Sequence, residues 1–170
     1  MKGIEQKGLD GAGLRIAVVA ARWNAFVSEK LEAGAIESLR SAGLPDEDIE
    51  TVHVPGAFEL PLGALTAAES GRFDAVVCLG TVIRGDTPHF DFIAGEAARG
   101  IMDVGLRTRI PVTFGVITAD NDSQATDRAG GAAGNKGAEA ADAAVEMALL
   151  RRKLAGVDKR RSDAFAARER

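Results

Sequence analysis

The stretch GTVIRGDTPHFDF, residues 80–92, gathers two glycines, an arginine, two aspartates, two threonines, a proline, and one of only two histidines in the chain. It follows the apolar run Ala75-Val76-Val77-Cys78-Leu79. Thr87-Pro88 has the form of a helix N-cap followed by proline at the first helical position. A helix beginning near Phe90 would open with unpaired backbone N–H groups. Gly85 would let the backbone come close, and the amides of Asp86 and Thr87 would complete an anion site suited to phosphate. The carboxylate of Asp86 opposes that reading unless it turns outward while its amide faces in. His89 falls in the first turn, where the positive helix end favours a neutral imidazole that accepts and returns a proton. On spacing alone, a capping or solvent-facing histidine fits as well.

Two other short stretches carry chemistry-bearing types. Arg22-Trp23-Asn24 holds the only tryptophan, and Gly56-Ala57-Phe58-Glu59 sets a carboxylate beside an aromatic. His53 reads as structural. Two separated histidines make a poor metal site, and Cys78, inside an apolar run, reads as core filler rather than a nucleophile. No metal is expected.

The surrounding elements say where these stretches must sit. Leu14–Ala21 is a continuous apolar run, as in a strand buried on both faces. Val27, Leu31, Ala35 and Leu39 recur at helical spacing, ended by Gly43 and Pro45. The pattern then predicts a strand over 49–54, a helix over 58–69 with Pro61 in its first turn, a strand over 75–80 and a helix over 90–106. A fourth strand over 111–118, a short helix over 123–129, a glycine-rich link and an alanine-rich helix over 138–154 complete it. Strands alternating with helices predict one α/β domain with a parallel sheet covered on both faces. Ligands of such sheets bind beyond the carboxyl ends of the strands, where all three stretches fall, with Thr81–His89 read as the loop after the third strand.

Composition narrows the class. The chain has 170 residues and a net charge of −4, which argues against a nucleic-acid or membrane surface. One cysteine argues against a disulfide framework or a cysteine-rich zinc site. The N-terminal MKGIEQKGLDG lacks the apolar centre of a signal peptide, so the expected location is the cytoplasm. The last residues, from 155 on, form a charged tail expected to fray.

Taken in order, RWN at 22–24, VPGAFELP at 54–61, LGTVIRGDTPHFDF at 79–92, FGVIT at 114–118, DRAG at 127–130 and AGNKG at 133–137 resemble the lumazine synthase family, from about Gly13 to Leu154. The resemblance implies a flavodoxin-like three-layer sandwich around a four-stranded parallel sheet, with an arm at residues 1–12 able to add a strand to a neighbouring subunit. It implies condensation of 5-amino-6-(D-ribitylamino)uracil with 3,4-dihydroxy-2-butanone 4-phosphate, without a cofactor. It also carries roles onto matching residues. Trp23, commonly phenylalanine in the family, stacks on the pyrimidine. Asn24 and Glu59 hold the ribityl chain, with backbone contacts at Ala57 and Phe58. Thr81, Val82 and Ile83 bond the pyrimidine, Asp86, Thr87 and Arg128 bind phosphate, and His89 moves protons. Phe114 comes from a neighbouring subunit, and Lys136 lies near the ring's polar edge. The implied assembly is a pentamer, which the compact link over 130–137 associates with an icosahedral shell, and riboflavin synthase is an implied partner. The alternatives are a non-catalytic flavin- or phosphate-binding module, or a shell-forming protein without activity.

Overall fold

The computed structural model describes the backbone of residues 8–166 and the side chains of residues 8–156. Residues 1–7 of the arm expected to add a strand lie outside the described residues, as do the side chains of the charged tail from 157 on. Four strands, β1 (Ile16–Ala21), β2 (Ile49–Val54), β3 (Ala75–Ile83) and β4 (Val112–Ala119), form one parallel sheet in the order β2-β1-β3-β4. Their carboxyl ends therefore share one edge.

The sheet is the middle layer, and the period-2 alternation of its central strands shows why. Ile16, Val18 and Ala20 of β1, with Ala75, Val77 and Leu79 of β3, face one core. Ala17, Val19 and Ala21, with Val76, Cys78 and Val82, face the other. With both faces buried, the strands read as continuous apolar runs rather than alternating ones. Helices α1 (Ala25–Ser41) and α5 (Lys136–Ala166) cover the first face, and α2 (Leu60–Glu69) and α3 (His89–Thr108) the second. Val27, Leu31, Ala35 and Leu39 form the buried stripe of α1. Each fully buried leucine there contributes about 2 kcal/mol relative to exposure. The alanines of α5 let it lie close to α1. At Gly137 a Cβ would fall 2.1 Å from the Leu31 carbonyl oxygen, so only glycine fits that crossing.

The structure departs from the sequence reading in four places. Strand β3 does not stop at Gly80 but pairs with β4 through Ile83, so Thr81, Val82 and Ile83 are strand residues rather than loop residues. Helix α3 begins at His89, with Pro88 at the cap position and no side-chain cap bond, so Thr87 does not cap it. The link over 130–137 contains a small antiparallel pair, β5 (Ala129–Gly131) and β6 (Gly134–Asn135), after the short helix α4 (Asp122–Asp127). Helix α5 starts at Lys136 because Asn135 Oδ1 accepts from the N–H groups of Gly137 and Ala138, at 2.8 and 3.1 Å. Its far end is Ala166 rather than Leu154.

Candidate functional site

The first corner of the carboxyl edge is built by the chain leaving β1 and β2. Arg22 N–H donates to Val54 O at 2.9 Å and Trp23 N–H to Pro55 O at 3.2 Å, so these two segments run side by side. Asn24 then turns the chain into α1 with a left-handed backbone (φ 56°, ψ 47°), which asparagine tolerates better than most residues. Its side chain does not cap α1; Nδ2 donates to Thr81 O at 3.1 Å and ties this corner to β3. Ser28, buried at the start of α1, donates its hydroxyl to Trp23 O at 2.9 Å. The backbone of Trp23 is thereby fixed, while its side chain is left out in solvent, the residue being 68% exposed.

Gly56 packs against the indole. A Cβ there would lie 3.3 Å from Trp23 Cε3 and 3.3 Å from Glu59 Oε2, so the glycine brings bare backbone against both. Gly56 N–H donates to Glu59 Oε2 at 3.0 Å, closing the turn that enters α2. Ala57 is buried, Phe58 exposed and Glu59 half-buried. Thr81 is buried, and its Oγ1 has no hydrogen-bond partner among the described residues. An unpaired buried hydroxyl costs about 1–3 kcal/mol.

The second part of the edge is the stretch between β3 and α3. Asp86, Thr87 and His89 are all exposed. A Cβ at Gly85 would meet nothing within 4 Å, so no packing within the chain demands glycine there. Arg84, which the sequence reading left without a role, anchors this stretch. Its side chain bonds Asp91 in the first turn of α3 and Asp120 just past β4.

Phe114, Arg128 and Lys136 do not join these residues within one chain. Phe114 pairs with Cys78, three positions before Ile117, the partner of Thr81. At about 3.3 Å per residue that is roughly 10 Å short of Thr81 along the strand. It is 45% exposed on edge strand β4. There it lines an apolar groove with Met102 and Leu106 of α3 and Met147, Leu150 and Leu154 of α5. Arg128 donates Nη1 to Gln124 O at 2.9 Å, and its carbonyl accepts from Lys136 N–H at 2.8 Å. Lys136 Nζ is held by both carboxylate oxygens of Glu139, at 2.8 and 2.7 Å. The adjoining Ala129 packs into the α1/α5 core, whereas Phe90, next to His89, packs against the opposite one.

The remaining reactive types are occupied elsewhere. Cys78 is fully buried, and burial pushes its thiol up to about 12, so it stays protonated and inert at neutral pH. His53, on edge strand β2, has its Nε2 2.9 Å from Glu32 Oε2. Among the described residues no group of three or more His, Cys, Asp or Glu side chains is placed to hold a metal. No helix among them is long and apolar enough to cross a membrane.

A four-stranded parallel sheet covered by helices on both faces belongs to the flavodoxin-like class of three-layer α/β sandwiches. The sequence model of the 6,7-dimethyl-8-ribityllumazine synthase family matches residues 13–152, which takes in the whole sheet and every candidate residue. The chain belongs to that family.

Proposed function

We propose that the protein condenses 5-amino-6-(D-ribitylamino)uracil with 3,4-dihydroxy-2-butanone 4-phosphate to give 6,7-dimethyl-8-ribityllumazine, phosphate and water. The observation that carries this reading, beside the family, is the corner formed by Trp23, Asn24, Gly56–Glu59 and Thr81, where three strand ends are hydrogen-bonded around an exposed indole. Trp23 offers a flat face for the pyrimidine, and tryptophan serves this purpose as phenylalanine would. Asn24 and Glu59 hold the ribityl hydroxyls through the acceptor atoms their internal bonds leave free, with the backbone of Ala57 and Phe58 alongside. Thr81, Val82 and Ile83 contact the pyrimidine chiefly through main-chain groups, since the Thr81 hydroxyl is closed off.

The phosphate-bearing substrate takes the start of α3. Backbone amides of Asp86 and Thr87 and the Thr87 hydroxyl receive the phosphate, and Arg128 adds a charge-assisted contact. The 5-amino group attacks the ketone and water leaves as the imine forms. Phosphate then departs by elimination, and the ribityl-bearing nitrogen closes the ring with loss of a second water. His89 accepts and returns the protons these steps move. Holding the two reactants together supplies about 7–11 kcal/mol, and one acid–base group a further factor of about 10² to 10⁴, so a single histidine is chemically sufficient.

Phe114 serves a neighbouring subunit. Its distance from Thr81 along β4 and its place in the exposed apolar groove support a site shared between chains, with subunits closed into a pentameric ring. The compact turn over 130–137 supports further assembly into an icosahedral shell. Mixing the two substrates with the purified protein and following lumazine absorbance tests the reaction. Steady product formation is expected. Flavin or lumazine binding without turnover would leave only the non-catalytic reading. Light scattering on dilute protein tests the assembly, and a monomer that turns over would sink the shared site.

A further inference from the structure

Arg84 joins three elements at the phosphate end of the site. Its backbone N–H donates to Ala119 O at 2.9 Å. Nε donates to Asp120 Oδ1 at 3.2 Å, and Nη2 and Nη1 to the Asp91 carboxylate at 3.2 and 3.4 Å. The guanidinium carbon also lies 4.0 Å from the centroid of the Phe90 ring. The hydrogen bonds to Asp91 and Asp120 hold the guanidinium above its ordinary range.

Two carboxylates surround one guanidinium, which leaves a surplus negative charge. Arg84 is therefore a poor ligand for phosphate, because three of its five N–H donors are engaged by carboxylates and the surrounding charge has the wrong sign. It is well placed as a counter-charge. Asp91 sits in the first turn of α3, where the helix end attracts anions. Released from Arg84, its carboxylate would compete with a phosphate there, and Asp120 would add to the repulsion.

We propose that Arg84 is a positioning residue: it neutralises Asp91 and Asp120 and draws them aside, keeping the N-terminus of α3 open to the phosphate of the substrate. This rests on the phosphate assignment made under the proposed function.

The parental protein is measured first, for lumazine formation and for binding of inorganic phosphate by calorimetry. Failure of both would overturn the functional reading before any variant is made. With both present, Arg84→Gln is expected to raise the phosphate Kd and the KM for the butanone phosphate about tenfold. The KM for the pyrimidine should not move. The triple variant Arg84→Gln/Asp91→Asn/Asp120→Asn should bring both constants back to within about threefold of parental, because the repelling charges are gone. Arg84→Lys, which keeps the charge, should stay near parental. In about 1 M salt, where the screening length is about 3 Å, the ratio of Arg84→Gln to parental KM should approach one. The proposal is overturned if Arg84→Gln keeps parental constants, if both substrates weaken equally, or if the triple variant is no better than Arg84→Gln. Should Arg84→Gln not fold, Asp120→Asn makes the same test with Arg84 in place. It should lower the phosphate Kd about twofold, and a rise would overturn the idea.

Discussion

The two halves of the carboxyl edge are held in different ways. Around Trp23, strand ends are knitted together by backbone bonds to Val54 and Pro55, by Asn24 reaching Thr81, by Ser28 holding the Trp23 carbonyl and by Glu59 closing on Gly56. Around His89, the side chains of Asp86, Thr87 and His89 stand in solvent, and the tether is Arg84. The first half is built into the fold; the second is attached to it. A rigid corner suits a flat ring that must be held in one orientation. An open helix start suits the phosphate of the proposed reaction, which must enter, leave as product and be replaced. Substitutions in the two halves should therefore separate: those at the corner lower affinity and stability together, and those at the helix start lower function while the melting temperature holds.

The largest effect belongs to His89. In the proposed reaction His89→Ala removes the proton carrier and leaves both substrates in place, so kcat should fall about 10²-fold, within the range of one acid–base group. The KM values and the melting temperature should stay near parental. A kcat unchanged across the pH range would remove His89 from the mechanism and make the open half a mere surface loop.

Arg128 comes next. Arg128→Ala should raise the KM for the butanone phosphate about 30-fold, the loss of one charge-assisted contact of about 2 kcal/mol. Because Arg128 and Lys136 are joined on the α1/α5 side of the chain, mixing Arg128→Ala subunits with His89→Ala subunits gives an informative cross. Activity regained in the mixed assembly would mean that the two residues come from different chains. No recovery, with exchange of subunits verified, would place them in one.

How much of this was legible beforehand follows from what each residue does. The four parallel strands and the helices between them could be read because β1 and β3 are buried on both faces and α1 carries its apolar residues at helical spacing. Gly80 misled the reading of β3. It looks like the end of a strand, but a Cβ there would lie 3.2 Å from Leu60 Cδ1 and 3.3 Å from the Ala21 Cβ. That glycine answers tight packing against Leu60 of α2 and Ala21 of β1, and the β-branched Thr81-Val82-Ile83 continues the strand beyond it. Thr87-Pro88 misled similarly, since proline itself takes the cap position, where its missing N–H costs nothing. Asn135 does carry a signal in the sequence: an asparagine directly ahead of the last helix is a common N-cap. Arg84 had none. An arginine after a strand is ordinary, and only the folded chain brings Asp91 and Asp120 to it. The same holds for the division of Phe114, Arg128 and Lys136 from His89, which depends on register and on which face each helix covers.

Trp23 sharpens the comparison from the corner's side. Trp23→Ala should raise the KM for the pyrimidine about tenfold, as expected when one stacking face is lost, and leave the KM for the phosphate substrate alone. Trp23→Phe keeps a flat ring and should stay within about threefold of parental. Equal losses for both variants would mean that the indole N–H rather than the ring face matters.

The smallest effect tests whether the corner is prebuilt. Ser28 touches no substrate in the proposed site; it is buried, and its hydroxyl holds the Trp23 carbonyl at 2.9 Å. Ser28→Ala removes that bond at a cost of about 1 kcal/mol, or about 2–4 °C in melting temperature for a chain of this size. The freed carbonyl lets the segment carrying the indole sample more orientations. Since Trp23 is the only tryptophan, its fluorescence anisotropy reports that motion without a label and should fall. The pyrimidine KM should rise about threefold, the phosphate KM should not change, and Ser28→Thr should restore both readouts if its extra methyl is accommodated against α1. A drop in melting temperature with unaltered anisotropy and pyrimidine KM would mean that Ser28 supports the fold alone, and that the indole is held by Gly56 and by the backbone bonds of Arg22 and Trp23 to the end of β2.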